Sequence, residues 1–141
     1  MEVSEVRKRL HETMARARQR AGERRARVET ASLAFDRFLS SVAVPLMRQI
    51  ANVLRADGYV FSVSTPAGSV RLMSDKSAED FIDLSLDTTS DGPRVLARVS
   101  RNHGRRVIDA EHVVGSGDPE SMTEEDLLAF LLKELEPFVE R

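Results

Sequence analysis

Apolar residues recur at helical spacing along the first third of the chain. From residue 3 to residue 53 they advance in alternating steps of three and four, with vacant steps at Arg24/Arg25 and at Ala31/Ser32. The mean step of about 3.6 residues is the α-helical repeat. At about 100° per residue, all these side chains fall within a sector of roughly 80°. The stripe consists of Val3, Val6, Leu10, Met14, Ala17, Ala21, Val28, Phe35, Leu39, Val42, Leu46, Ile50 and Val53. Because two unrelated helices would have no reason to share a phase, the pattern predicts one long helix.

Two residues disturb this helix and two end it. Gly22 costs about 1 kcal/mol relative to alanine in a helix interior. Pro45 removes one backbone hydrogen bond and clashes with the carbonyl of Ser41, so that we expect either a kink or a break into two helices. Asp57-Gly58 follows the last apolar residues, and glycine is common just past a helix end.

After Gly58 the apolar period changes to two, which indicates strands. Proline and glycine in 65–68 are placed as in a type I turn. A hairpin around this turn would pair Val63 with Val70 and Phe61 with Leu72, with all four side chains on one face.

Three further strands are predicted by the same alternation. The third contains Phe81, Ile82, Leu84 and Leu86, and a turn at Ser90-Asp91-Gly92-Pro93 leads to a fourth with Val95, Ala97 and Val99. A turn at His103-Gly104 leads to a fifth with Ile108, Ala110, His112 and Val114. This turn would pair Val99 with Ile108, Ala97 with Ala110 and Val95 with His112. It also sets Arg98 opposite Asp109, a favourable cross-strand pair.

A final helix follows the loop from Gly115 to Ser121. Thr123 (or Ser121) is a good N-cap, and the acids that follow suit the positive end of the helix dipole. One face of this helix is apolar, through Leu127, Leu128, Leu131, Leu135 and Phe138. The predicted fold is α+β, with a long N-terminal helix, a five-stranded antiparallel meander with one face covered by helices, and a C-terminal helix.

The long helix is too long for the rest of the chain to cover. A helix over 3–56 would measure about 80 Å at 1.5 Å per residue, whereas a body of about 85 residues is about 30 Å across. We therefore divide the chain into a protruding basic amphipathic helix, 1–29, and a compact α+β domain, 30–141. A second copy of the helix is the simplest cover for the protruding stripe, with a frayed arm as the alternative. The residues predicted to self-associate are Val3, Val6, Leu10, Met14, Ala17 and Ala21.

Charge is divided unevenly between these two parts. Residues 1–29 hold nine Arg or Lys and five Glu, which gives +4, and the whole chain carries −2, which leaves −6 for the remainder. Three Glu–Arg pairs at i,i+4 favour the helix, namely Glu5–Arg9, Glu12–Arg16 and Glu23–Arg27. One flank of the stripe carries the residues that would contact an anion: Arg9, Arg16, Arg20, Arg24 and Arg27. Nucleic-acid binding by charge alone is therefore an alternative function, although residues 1–29 contain no aromatic residue for base stacking.

The residue patterns of the sequence predict no catalytic, cofactor or metal site. The chain has no cysteine, which excludes disulfides and thiol catalysis. His112 is the residue to test first, but Asp109 and Glu111 alternate onto the opposite face, so that a partly buried structural histidine is the simpler interpretation. The acids at 124–126 lack the spacing of a calcium loop, and Gly115-Ser116-Gly117-Asp118 lacks the lysine of a phosphate loop.

The function expected from these patterns is that of a non-enzymatic interaction or scaffold protein, forming a homodimer or coiled coil through its N-terminal helix. We expect no cofactor, no membrane association and a cytoplasmic location, because no signal peptide or membrane-spanning run is present in the sequence. Another protein as partner remains open. The alternatives are a nucleic-acid-binding accessory protein that uses the Arg flank of residues 7–27, and a small-molecule-binding or catalytic domain near His112.

Overall fold

The computed structural model describes residues 1–89 and 92–140 and confirms the predicted α+β fold. The five strands form one antiparallel sheet in chain order, and the long helix precedes it. The elements are α1 Val3–Phe38, a π-helical segment Leu39–Ala43, α2 Val44–Ala56, β1 Phe61–Ser64, β2 Ser69–Ser74, β3 Phe81–Asp87, β4 Arg94–His103, β5 Arg106–Val113 and α3 Glu124–Val139.

α1, the π segment and α2 form one uninterrupted helix of 54 residues. Pro45 does not split it, because the turn before the proline widens to the π form. There the N–H of Val44 donates to the Leu39 carbonyl, five residues back. The hydroxyl of Ser41 donates to the Arg37 carbonyl at 2.5 Å, which adds a side-chain hydrogen bond where the backbone ladder changes. The chain thus accommodates a proline without ending the helix.

The π segment shifts the buried face of the helix by about one residue, because it winds one extra residue into a turn. Leu39 is buried as predicted, but the constant phase predicted from Val3 to Val53 is wrong beyond it. From Ala43, the last residue of the segment, buried side chains lie one position past the predicted stripe, at Ala43, Met47 and Ala51. Leu46 stays in the core, whereas Ile50 is half-buried and Val53 is 64% exposed.

The helix ends where the sequence predicted. Gly58 adopts a left-handed conformation, with φ of 91°. Its N–H donates to the Arg55 carbonyl at 3.1 Å, and the N–H of Tyr59 donates to the Leu54 carbonyl at 2.8 Å. These two bonds are the Schellman motif, which satisfies carbonyls left open at a helix end.

The β1–β2 hairpin forms, but its predicted register is wrong by two residues. Phe61 lies opposite Ser74 and Val63 opposite Leu72. The turn runs from Pro66 to Ser69, whose N–H donates to the Pro66 carbonyl at 3.0 Å. Gly68, with φ of 74°, is the third residue of this turn, as a type II turn requires. A shift of two keeps the alternation of side chains, so that the predicted residues still face the core.

The register of the last hairpin is also wrong by two residues. Its turn is Gly104-Arg105, and Val99 lies opposite Ala110. Gly104 has φ of 65° at the first central position, the geometry of a type II′ hairpin. The predicted pairs Val99–Ile108, Ala97–Ala110 and Val95–His112 therefore do not form. The turn predicted at 90–93 includes Ser90 and Asp91, which lie outside the described residues.

α3 closes the core against the sheet and the long helix. Thr123, and not Ser121, is its cap: the Thr123 hydroxyl accepts from the N–H of Asp126 at 3.1 Å, and the Asp126 carboxylate accepts from the N–H of Thr123 at 3.1 Å. Pro137 lies inside the helix, which continues to Val139. The buried face of α3 consists of Leu127, Leu131, Leu135 and Phe138.

Candidate self-association surface

The first turns of α1 carry their apolar side chains in solvent. The exposed fraction is 74% at Val3, 47% at Val6, 55% at Leu10 and 39% at Met14. Further along, Ala17 is exposed and Ala21 is half-buried. Since burying one large apolar side chain is worth about 1.5–3 kcal/mol, covering these four would contribute several kcal/mol to an association.

The helix leaves the body near residue 30. Ala31 is its first buried residue, and Ala26 and Thr30 border a cleft whose other wall includes Pro93 and Pro119. Residues 3–25 precede this cleft, so that about 35 Å of helix extends beyond the body at 1.5 Å per residue. We call residues 3–28 the arm.

The Arg flank of the arm is exposed throughout. Arg9 donates to Glu5 at 2.9 Å, as predicted. Arg16 instead donates to Thr13 at 3.3 Å, and Glu23 accepts from Gln19 at 3.3 Å. Within residues 1–89 and 92–140, the predicted Glu12–Arg16 and Glu23–Arg27 ion pairs are not formed. Exposed pairs of this kind are worth little, so that solvent competes with them successfully.

A second apolar surface lies between α2 and α3, and the sequence patterns did not reveal it. α3 makes its close backbone contacts with the long helix chiefly at the π segment, and the two helices make fewer such contacts along α2. They leave a groove of about 610 Å³ between them. Ile50 and Val53 line one wall and Leu128 and Leu132 the other, with Leu132 58% exposed. We call this the α2/α3 groove.

The groove exists because both helices carry apolar residues next to their buried faces. On α2 the π segment moves Val53 out of the core. On α3, Leu128 and Leu132 follow the core positions Leu127 and Leu131 by one residue each. In the sequence, this surface is indicated only by the consecutive leucines 127–128 and 131–132. A single buried face of a surface helix would use only one leucine of each pair.

The uncovered face of the sheet carries a polar network. Arg98 binds Asp109, with Nε 3.0 Å from Oδ2, although its direct cross-strand neighbour is Glu111. Arg71 binds Asp83, with Nη2 2.8 Å from Oδ2. The guanidinium groups of Arg71 and Arg98 lie 4.1 and 5.6 Å from the centre of the Phe81 ring. Hydrogen bonding to Arg98 lowers the pKa of the Asp109 carboxyl, and the same bond raises the pKa of Arg98. Each of these two arginines binds a neighbouring carboxylate and lies near the Phe81 ring, which indicates that the network has a structural role.

His112 lies at the edge of the covered face, opposite Ala97. Its ring meets the Phe130 ring edge-on with centres 6.2 Å apart, and its Nε2 lies 4.0 Å from a carboxylate oxygen of Glu134. Asp109, on the other face, binds Arg98 and does not orient the imidazole. The residue is exposed, so that the partly buried position predicted for it is wrong, and these contacts are those of a surface side chain.

The other candidates also have local roles. Asp126 serves in the capping box, with Glu124 and Glu125 in the same first turn. Gly117 is held by backbone bonds with Val95 and Val114, and Asp118 accepts from the N–H of Glu120 at 3.0 Å. Within residues 1–89 and 92–140, no group of three or more His, Asp or Glu side chains is placed to hold a metal ion.

The chain matches no protein-family model, no curated protein and no solved structure. None of the helices among the described residues is long and apolar enough to cross a membrane. Functional inference therefore depends on the surfaces described above.

Proposed function

We propose that this protein is a non-enzymatic interaction or scaffold protein that forms a dimer through its arm. The observation that supports the proposal is the exposed apolar stripe of Val3, Val6, Leu10 and Met14 on a helix that continues into the folded core. Because the arm is already helical and anchored, an association loses little conformational entropy in ordering it.

The test is the self-association of the full chain measured by sedimentation equilibrium. Leu10→Lys places a charge on the stripe, whereas Gln19→Lys places the same charge about 180° away on the same helix. We expect Leu10→Lys to weaken dimerisation at least about 100-fold, since a dimer loses two buried leucines at about 1.5 kcal/mol or more each. Gln19→Lys should leave the dimerisation constant within about threefold of wild type, as expected of a substitution away from buried contacts. A wild-type chain that is monomeric at high micromolar concentration would overturn the proposal.

A second candidate is nucleic-acid binding through the Arg flank. It is favoured by the exposure of Arg16, Arg20, Arg24 and Arg27, none of which forms an ion pair among the described residues. Such binding would be independent of base sequence and steeply dependent on salt.

A further inference from the structure

We infer that the stripe of one copy docks in the α2/α3 groove of a second copy, with the two long helices antiparallel. This inference rests on the proposed function and names the surface that receives the arm. It joins an unpartnered apolar helix face and an unpartnered apolar groove within one chain.

The lengths of the two surfaces agree. Val3 to Met14 spans about 17 Å of helix at 1.5 Å per residue. On α3, Glu124 and Glu136 both border the groove, and they are about 18 Å apart along the helix by the same rise. One stripe therefore fits along one groove.

A two-fold axis between two copies of the long helix also brings the stripe of one copy to the groove of the other. The helix runs from Val3 to Ala56, so that two antiparallel copies related by a two-fold axis near residue 29 or 30 set the start of one against the end of the other. Val6 then lies beside Val53 of the second copy, and Leu10 beside Ile50. Both α2 residues line the groove.

Charge favours this partner over a parallel pairing of arms. The arm region 1–29 carries +4, whereas α3 holds five acids and one lysine. A parallel coiled coil would set two basic arms side by side and would leave both grooves open. The antiparallel arrangement brings each basic arm to an acidic helix, and because a two-fold interface repeats itself, both stripes and both grooves are covered in a closed dimer.

Cysteine crosslinking tests the arrangement directly, because the full chain contains no cysteine of its own. Val6 and Val53 are both exposed, so that neither substitution disturbs the core. They are about 70 Å apart within one helix by its rise per residue, and a disulfide between them must join two chains. We expect the double variant Val6→Cys/Val53→Cys to form a covalent dimer on mild oxidation. We expect neither single variant to form one.

A groove variant gives an independent measurement. Leu132→Lys should weaken the dimer at least about tenfold in sedimentation, and Val107→Lys, which replaces an exposed valine of β5 that does not line the groove, should not. Circular dichroism and thermal unfolding of each variant report whether it is folded.

Each outcome has one meaning. Crosslinking by the pair alone, together with a weakened Leu132→Lys dimer, supports docking in the groove. Crosslinking by Val6→Cys alone shows a parallel pair of arms, and overturns the inference while leaving the proposed function standing. A wild-type dimer whose cysteine variants do not crosslink, or a dimer that Leu132→Lys does not weaken, also overturns docking in the groove and leaves the proposed function standing. A monomeric wild-type chain overturns both.

Discussion

Phe81 illustrates how single residues stabilise the uncovered face of the sheet. The ring lies on the solvent side, yet only 7% of the residue is exposed. Arg71 stacks over the ring at 4.1 Å while binding Asp83. An arginine stem covers apolar surface and its guanidinium attracts the ring face, so that one side chain serves both purposes.

The Arg98–Asp109 pair predicts a pH dependence of stability. Hydrogen bonding to Arg98 lowers the pKa of Asp109 in the folded state. The folded state therefore binds fewer protons than the unfolded state, and this contribution is present above the unfolded pKa of about 3.9 and lost as pH falls through the lower folded value. Asp109→Asn should reduce the free energy of unfolding at pH 7, and the difference from wild type should shrink below about pH 4.

Urea unfolding at pH 7 and pH 3 measures this difference. Asp36→Asn is the matched control, because Asp36 is exposed and forms no ion pair among the described residues. A difference between wild type and Asp109→Asn that stayed the same at both pH values would show that the pair adds no pH-dependent stability.

At the scale of elements, the spacing of apolar residues predicted every helix and strand of the described residues. The prediction failed for the register of two hairpins, which the turn residues determine. Both hairpins are shifted by two residues because the glycine in each turn takes a different position from the one assigned to it. Gly68 stands third in its turn and Gly104 first of two central residues. A shift of two leaves each side chain on its face, so that the core positions of β1 to β4 were predictable although the register was not. On β5, Ile108 and His112 are exposed, although the alternation placed them on the apolar face.

The end of the long helix depends on one backbone conformation. Gly58 has φ of 91°, and a Cβ there would meet no heavy atom within 4 Å. Gly58→Ala should therefore act through backbone strain alone and reduce the free energy of unfolding by about 1–2 kcal/mol. Gly92→Ala is the matched control, since that glycine has equal space and no left-handed φ. Thermal unfolding of the two variants tests this, and equal melting temperatures would refute the strain argument.

For the whole molecule, the stripe on the arm was predictable from the sequence and the groove was not. The stripe is a local pattern within one helix. The groove depends on the π segment, which turns Val53 outward, and on how α3 packs beside α2. Neither is encoded in the period of either helix taken alone. The consecutive leucines of α3 mark Leu132 as a surface apolar residue, but only the packing of both helices on the sheet brings it into one groove with Val53.

The uneven charge of the molecule separates the two candidate functions by their response to salt. The logarithm of the DNA-binding constant falls linearly with the logarithm of the salt concentration, with a slope of about −0.9 for each neutralised phosphate. Binding of duplex DNA through the five arginines of the flank would therefore weaken about 500-fold between 50 and 200 mM salt. An arm that docks in an apolar groove depends chiefly on buried apolar surface, and its exposed ion pairs are the part that salt screens. We therefore expect the dimerisation constant from sedimentation to weaken less than about tenfold over the same range. Fluorescence anisotropy of a labelled duplex, recorded at the same salt concentrations, measures the other function. If the duplex binds the chain tightly at low salt and Leu10→Lys does not weaken that binding, the Arg flank and not the stripe is the functional surface of the arm.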